Sequence, residues 1–216
     1  MEILIIAAQD KALSMHYYRR NMKEPNDSTC RMCCKAEGHI KHTVTGCITL
    51  ALSEYSNRHN HLAGYIYWTI CKHRGLQVTD KRCGHVPERI INVNVTTVMW
   101  DVPAITDRTI LANRADILLH DKKEKTCLPI DIALPDVSKA NTKETEKLNK
   151  YKNLEIDVNS MWKVRTKIVP VITGALGTIK KALDQNHQLL PGHWSATELQ
   201  KIVLTSTAQI IRKVLG

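Results

Sequence analysis

The sequence predicts an α/β fold in which a mixed sheet is flanked by helices. Three observations carry this. From residue 55 onward, stretches of helical and strand period alternate as helix, three strands, helix, strand, helix. Phe is absent, so the core must be built mainly from Ile, Leu, Val and Ala. With 216 residues and 43% hydrophobic content, the chain can bury one domain of ordinary size, or a smaller one with an appended module.

The elements follow in chain order. "MEILIIAAQD" is apolar, but Glu2 stands where a signal peptide carries base and Gln9 and Asp10 end the run early, so it reads as the start of an amphipathic helix. Helical composition continues over residues 3 to 23 to "YYRRNMK", and "EPNDST" breaks it. A cysteine-rich stretch runs to Cys47. "ITLALSEYSNRHNHLAGYIYWTICKHRGL" then has helical period through Leu50, Leu52, Tyr55, Leu62, Ile66 and Ile70, weakened at Gly64. "IINVNVTTVMW", "DILLH" and "CLPIDIAL" read as strands, with "DKKEK" as a charged loop between the last two. "NTKETEKLNKYKNLEIDVNSMW" is helical, with Asn141 or Thr142 as N-cap. "KIVPVIT" is a buried strand, Gly174 and Gly177 mark a turn, and "TIKKALDQ" is a short helix. "SATEL" has capping-box spacing from Ser195 to Glu198 and opens a terminal helix. The expected units are 1–25, a helical segment that the family resemblance given below makes the tail of an upstream linker; 26–50, the cysteine module; 51–90, a helical connection; 91–190, the α/β core; and 191–216, the terminal helix.

The formal charge of +10, from 31 Lys and Arg against 21 Asp and Glu, favours a polyanion such as nucleic acid. No run approaches the ~20 apolar residues that span a bilayer. Without a secretory signal, the seven cysteines are expected as thiols or metal ligands.

"CRMCCKAEGHIKHTVTGC" offers Cys30, Cys33, His42 and Cys47 in C-x2-C-x8-H-x4-C spacing. Two thiolates two residues apart grip one ion from a tight turn, and three sulfurs with one nitrogen suit Zn²⁺. His39 competes with His42, and Cys34 with Cys33. A second set, Cys71, His73, Cys83 and His85, is weaker because alternate strand residues point to opposite faces.

In "NRADILLHDKKEKTCLPIDIALP", Asp116 and Asp131 stand at two strands with fourteen residues between them. Neighbouring strands lie roughly 4.8 Å apart, so carboxylates at matching heights can share a divalent ion such as Mg²⁺. At ~100° per residue, Leu148, Tyr151, Leu154 and Val158 form one apolar stripe, with Lys147 about 35° from its centre and Lys150 about 95° away. Lys147 therefore leans toward the acids, with Tyr151 one turn on. The basic candidates for nucleic-acid contact are Arg58, His59, Arg114, Lys143, Lys150, Lys163 and Arg165.

The cysteine spacing, "YSNRHN", "TDRTILANRADILLHD", "IDIALP", "KETEKLNKYKNL" and "VPVITGALG", in this order, resemble the C-terminal region of non-LTR retrotransposon polyproteins that carry a restriction-like endonuclease. The resemblance covers nearly the whole chain. It implies a PD-(D/E)xK nuclease fold behind a CCHC zinc knuckle, working on nuclear DNA and nicking it so that a reverse transcriptase copies the element's RNA from the exposed 3′ hydroxyl. Asp116 and Asp131 are the implied Mg²⁺ ligands. The lysine has moved from the second strand, where Ala133 stands, to the following helix; Lys147 and Lys150 are its two candidates. Ala115 departs from the family's R-P-D. No Y-x-D-D polymerase signature occurs, so the expected chain is a detached C-terminal fragment. Two functions compete: a Mg²⁺-dependent endonuclease, and a nucleic-acid-binding module without catalysis.

Overall fold

The computed structural model describes residues 2–13, 28–179, 188–192 and 195–215. The basic end of the first expected helix and most of "TIKKALDQ" lie outside these residues. Helix α1 spans Glu2–Gln9. A π-helical turn, His42–Gly46, leads through a short α-turn, Ile48–Leu50, into a second π-helical turn, Ala51–Tyr55, and then into helix α2, Ser56–His73. Gly64 does not interrupt α2. The helix ends at Gly75, whose positive φ of 65° lets its N–H reach the Lys72 carbonyl while Leu76 N–H reaches that of Cys71. These are the two bonds that satisfy a helix C-terminus when glycine follows it.

Strands β1 (Ile90–Val93), β2 (Thr96–Trp100), β3 (Ile117–Asp121) and β4 (Thr126–Ala133) form an antiparallel meander. "IINVNVTTVMW" is therefore two strands, not one: Asn94 takes a left-handed φ of 52° and turns the chain. Asparagine tolerates that region better than β-branched residues do. After β4 the chain passes through helices α3 (Ala140–Lys150) and α4 (Lys152–Trp162) and returns as β5 (Arg165–Thr166) and β6 (Val169–Ile172), both parallel to β4. The result is a six-stranded mixed sheet in a mixed α/β fold. Helix α5, Ala196–Leu215, begins directly after Ser195.

The expected single helix over residues 141 to 162 is divided at Tyr151, whose φ of −98° and ψ of 8° end α3. Its cap also differs. Asp136, not Asn141 or Thr142, accepts the Ser138 N–H at 3.0 Å and sets a 3₁₀ turn, Val137–Lys139, ahead of Ala140.

Alternation assigns the two faces of the sheet. Ile117, Leu119, Ile130, Ile132, Val169 and Val171 face α2 and α5, packing on Leu62, Ile66, Ile70, Leu199 and Val203. Leu118 and Cys127 face the other way, onto Tyr151, Leu154 and Val158. Leu148 is 42% exposed and leaves the expected apolar stripe, because the break at Tyr151 redirects the helix after it. Among the described residues, no helix is long and apolar enough to cross a membrane.

Candidate metal and acid sites

The thiols and imidazole expected to gather do so. The ligand atoms of Cys30, Cys33, His42 and Cys47 all lie within 4.8 Å of one another. Cys30 Sγ is 3.9 Å from Cys47 Sγ, close to the roughly 3.8 Å edge of a tetrahedron with ~2.3 Å Zn–S bonds. Cys33 Sγ is 3.3 Å from His42 Nε2. The turn is built for this. Cys30 N–H donates to the Ala36 carbonyl, Cys34 N–H donates to that of Cys30, and Cys34 itself takes a φ of 51°. Gly38 passes so close to Cys30 that a Cβ would stand 3.1 Å from its Cα. Both open alternatives resolve: His39 Nδ1 accepts the His42 N–H at 2.9 Å, and Cys34 is exposed with its thiol turned to the Arg31 carbonyl. The four residues can hold a metal such as zinc. Among the described residues no second group of this kind gathers, and Cys71 is buried while Cys83 is exposed.

The acid site is set by strand register. Ile117 pairs with Ile130, so Asp116, one residue before β3, stands opposite Asp131 of β4. Asp131 is 3% exposed. Tyr151 O–H reaches its Oδ1 at 2.6 Å, and Lys147 Nζ lies 2.5 Å from its Oδ2. Oδ2 is buried, and the Lys147 ion pair takes the place of a hydrogen bond there. Asp116 Oδ2 accepts the Ile132 N–H at 2.6 Å, and its Oδ1 lies 3.1 Å from His59 Nε2. Burial alone would lower the pKa of His59. Its hydrogen bond to Asp116 and the charges of Asp116 and Asp131 outweigh burial and the opposing Lys147, so the pKa rises. The Tyr151 hydroxyl is pushed well above its ordinary pKa, first by burial and then by Asp131.

The other lysine candidate, Lys150, donates to the Tyr151 hydroxyl at 2.9 Å and lies over its ring. It also lines a 400 Å³ hollow with Arg108, Ile110, Leu111 and Asn153. A larger hollow, 640 Å³, lies between α2, α5 and the 82–87 loop and is lined by neither acid.

Several basic residues expected at nucleic acid are placed otherwise. Arg58 is 2% exposed, and its guanidinium donates to the Val44 carbonyl and to Thr207 Oγ1. His59 is turned to Asp116. Arg114 is exposed but forms a bidentate pair with Asp101, which matches its charge locally. Lys143 pairs with Glu146. Lys163 and Arg165 are exposed, but Arg165 pairs with Thr126, five residues along β4 from Asp131. At ~3.3 Å per residue that is roughly 17 Å from the acids. The sequence marked Arg58 and His59 as basic candidates but not these roles, because their partners come from distant segments.

Neither a protein-family model nor a curated protein matches the chain.

Proposed function

We propose that this chain is the nuclease end of a non-LTR retrotransposon protein, a divalent-metal-dependent DNA endonuclease with a restriction-like core and a zinc knuckle. The observation that carries the reading is the register-opposed pair Asp116 and Asp131 with Lys147 against the second acid. Asp116 Oδ1 and Asp131 Oδ2 would hold Mg²⁺, and the buried Oδ2, which has an ion pair in place of a hydrogen bond, fits that demand once Lys147 moves off it. Bound there, Mg²⁺ supplies Lewis acidity and a water of lowered pKa. Tyr151 fixes Asp131 Oδ1 and so leaves the other oxygen, Oδ2, to the ion. Lys147, released from Asp131, is placed to neutralise charge developing on the scissile phosphate. Lys150 and the hollow beside it would receive the neighbouring backbone, and the basic surface around Lys163 and Arg165 would hold the duplex farther along.

The second reading is a binding module without catalysis. It is favoured by the same ion pair, because Lys147 occupies the oxygen that a metal needs, and by the locked carboxylate of Asp116. Supercoiled plasmid incubated with the protein and Mg²⁺, beside Asp131→Asn, separates the two. Nicking by the wild type alone supports the nuclease. Equal DNA binding by both proteins with no nicking by either leaves the binding module. In both readings log K should fall linearly with log salt, with a slope near the number of phosphates contacted.

A further inference from the structure

Asp116 is held by the sheet and by a helix packed on it. Its Oδ2 takes the Ile132 N–H of the adjacent strand, while its Oδ1 meets His59 in the first turn of α2. A carboxylate oxygen only accepts, so His59 Nε2 must carry the proton between them. Helix α2 packs on the opposite face from the one on which Asp131 meets Tyr151, so this contact joins the two layers at the end of the sheet.

The first turn of α2 is itself anchored. Arg58, adjacent to His59, donates to the Val44 carbonyl between the ligands His42 and Cys47, and to Thr207 Oγ1 of α5. The hydroxyl of Tyr55 donates to the Thr43 carbonyl at 2.7 Å and accepts the Cys47 N–H at 3.0 Å. Residues 55 to 59 thus connect the Cys/His segment to the acid pair.

We infer that His59 is the positioning residue of the divalent-metal site: its Nε2–H fixes the Asp116 carboxylate, and the Cys/His segment, through Tyr55 and Arg58, fixes His59. The inference rests on the acid pair holding a metal. It gives His59 a task other than contact with nucleic acid. Partners that orient metal ligands typically change metal affinity 10- to 100-fold when removed.

The test uses Mn²⁺ as the probe, titrated into the zinc-loaded whole chain and followed by the loss of the free-ion electron paramagnetic resonance signal. Four proteins are compared: wild type, His59→Ala, His59→Gln and the double variant Asp116→Asn, Asp131→Asn. His59→Ala should weaken Mn²⁺ binding about 10- to 100-fold. His59→Gln, which keeps an N–H donor, should recover most of that loss, and the double variant should not bind. Thermal unfolding of each identifies a variant that has lost its fold. If the wild type binds no Mn²⁺, or the double variant binds as well as the wild type, the acid pair is not a metal site and the nuclease reading fails. If the wild type binds and His59→Ala binds equally, the nuclease reading stands and the positioning role is overturned. It is also overturned if Gln and Ala are equally weak while both remain folded, since the hydrogen bond would then not be what matters.

Discussion

The Tyr151 hydroxyl has one proton and two acceptors in reach, Asp131 Oδ1 at 2.6 Å and the Arg114 carbonyl at 2.9 Å. The charged acceptor is the stronger, so the proton belongs to the carboxylate. Tyr151→Phe removes the hydrogen-bond donor to a buried carboxylate and should lower unfolding free energy at neutral pH by about 1.5–3 kcal/mol. A urea midpoint that does not move would show that Lys147 alone suffices to hold the acid. A second buried acid, Asp121, behaves differently because its partners are local. It accepts the Lys123 and Glu124 N–H groups and pairs with Arg74 at 2.5 Å. Burial raises its pKa, but those bonds and the arginine outweigh burial and hold it below the usual carboxylate range. Its stabilising contribution is therefore complete above the unfolded pKa of ~3.9 and is lost as pH falls through the lower folded value. Asp121→Asn should cost about 2 kcal/mol at pH 7. The difference from the wild type should shrink in unfolding curves taken progressively below pH 4.

At the scale of elements, two backbone positions invite opposite outcomes. Gly177 has a φ of 81°, and an added Cβ would stand 2.7 Å from Leu204 Cδ2 and 2.9 Å from its Cγ. Both strain and overlap oppose a side chain there, so Gly177→Ala should destabilise by about 1–3 kcal/mol in a denaturant melt. Lys163 ends α4 at a left-handed φ of 52°, where glycine is the favoured residue. Lys163→Gly should stabilise by about 0.5–1 kcal/mol while weakening DNA retention at low salt, since it also deletes a surface charge. These elements also mark what the sequence could reveal. The period of two and a short charged loop fixed which strand residues oppose each other, so Asp116 and Asp131 were legible as a facing pair. The period of 3.6 brought Lys147 to the sheet side even though the helix breaks after it. The break itself was not legible. It occurs where Tyr151 turns inward to meet Asp131, twenty residues earlier. Arg58 was misread as surface because its polarity is visible locally, whereas Val44 and Thr207, 14 and 149 residues away, are not. His59 at the acid site was hidden for the same reason.

Across the whole molecule, the Cys/His segment is packed into the fold instead of hanging from it. Cys30, Cys47 and Leu50 share a buried cluster with Ile210 and Val214 of α5, and Glu54 pairs with Lys213 at 2.5 Å. Zinc removal should therefore be felt at the far end of the chain. Hydrogen exchange at residues 210 to 215 should accelerate on chelation, and unchanged protection there would separate the ion from the packing of α5. The burial of the thiols also makes the protein its own chemical dosimeter. Cys34 and Cys83 are exposed, whereas Cys71 and Cys127 are buried, with thiols pushed up to about 11 and about 12. A brief maleimide pulse read by intact mass should thus add two adducts while an ion caps Cys30, Cys33 and Cys47. It should climb to three once a chelator strips that ion and opens half-buried Cys33, with the buried Cys30, Cys47, Cys71 and Cys127 alkylated only as the chain unfolds.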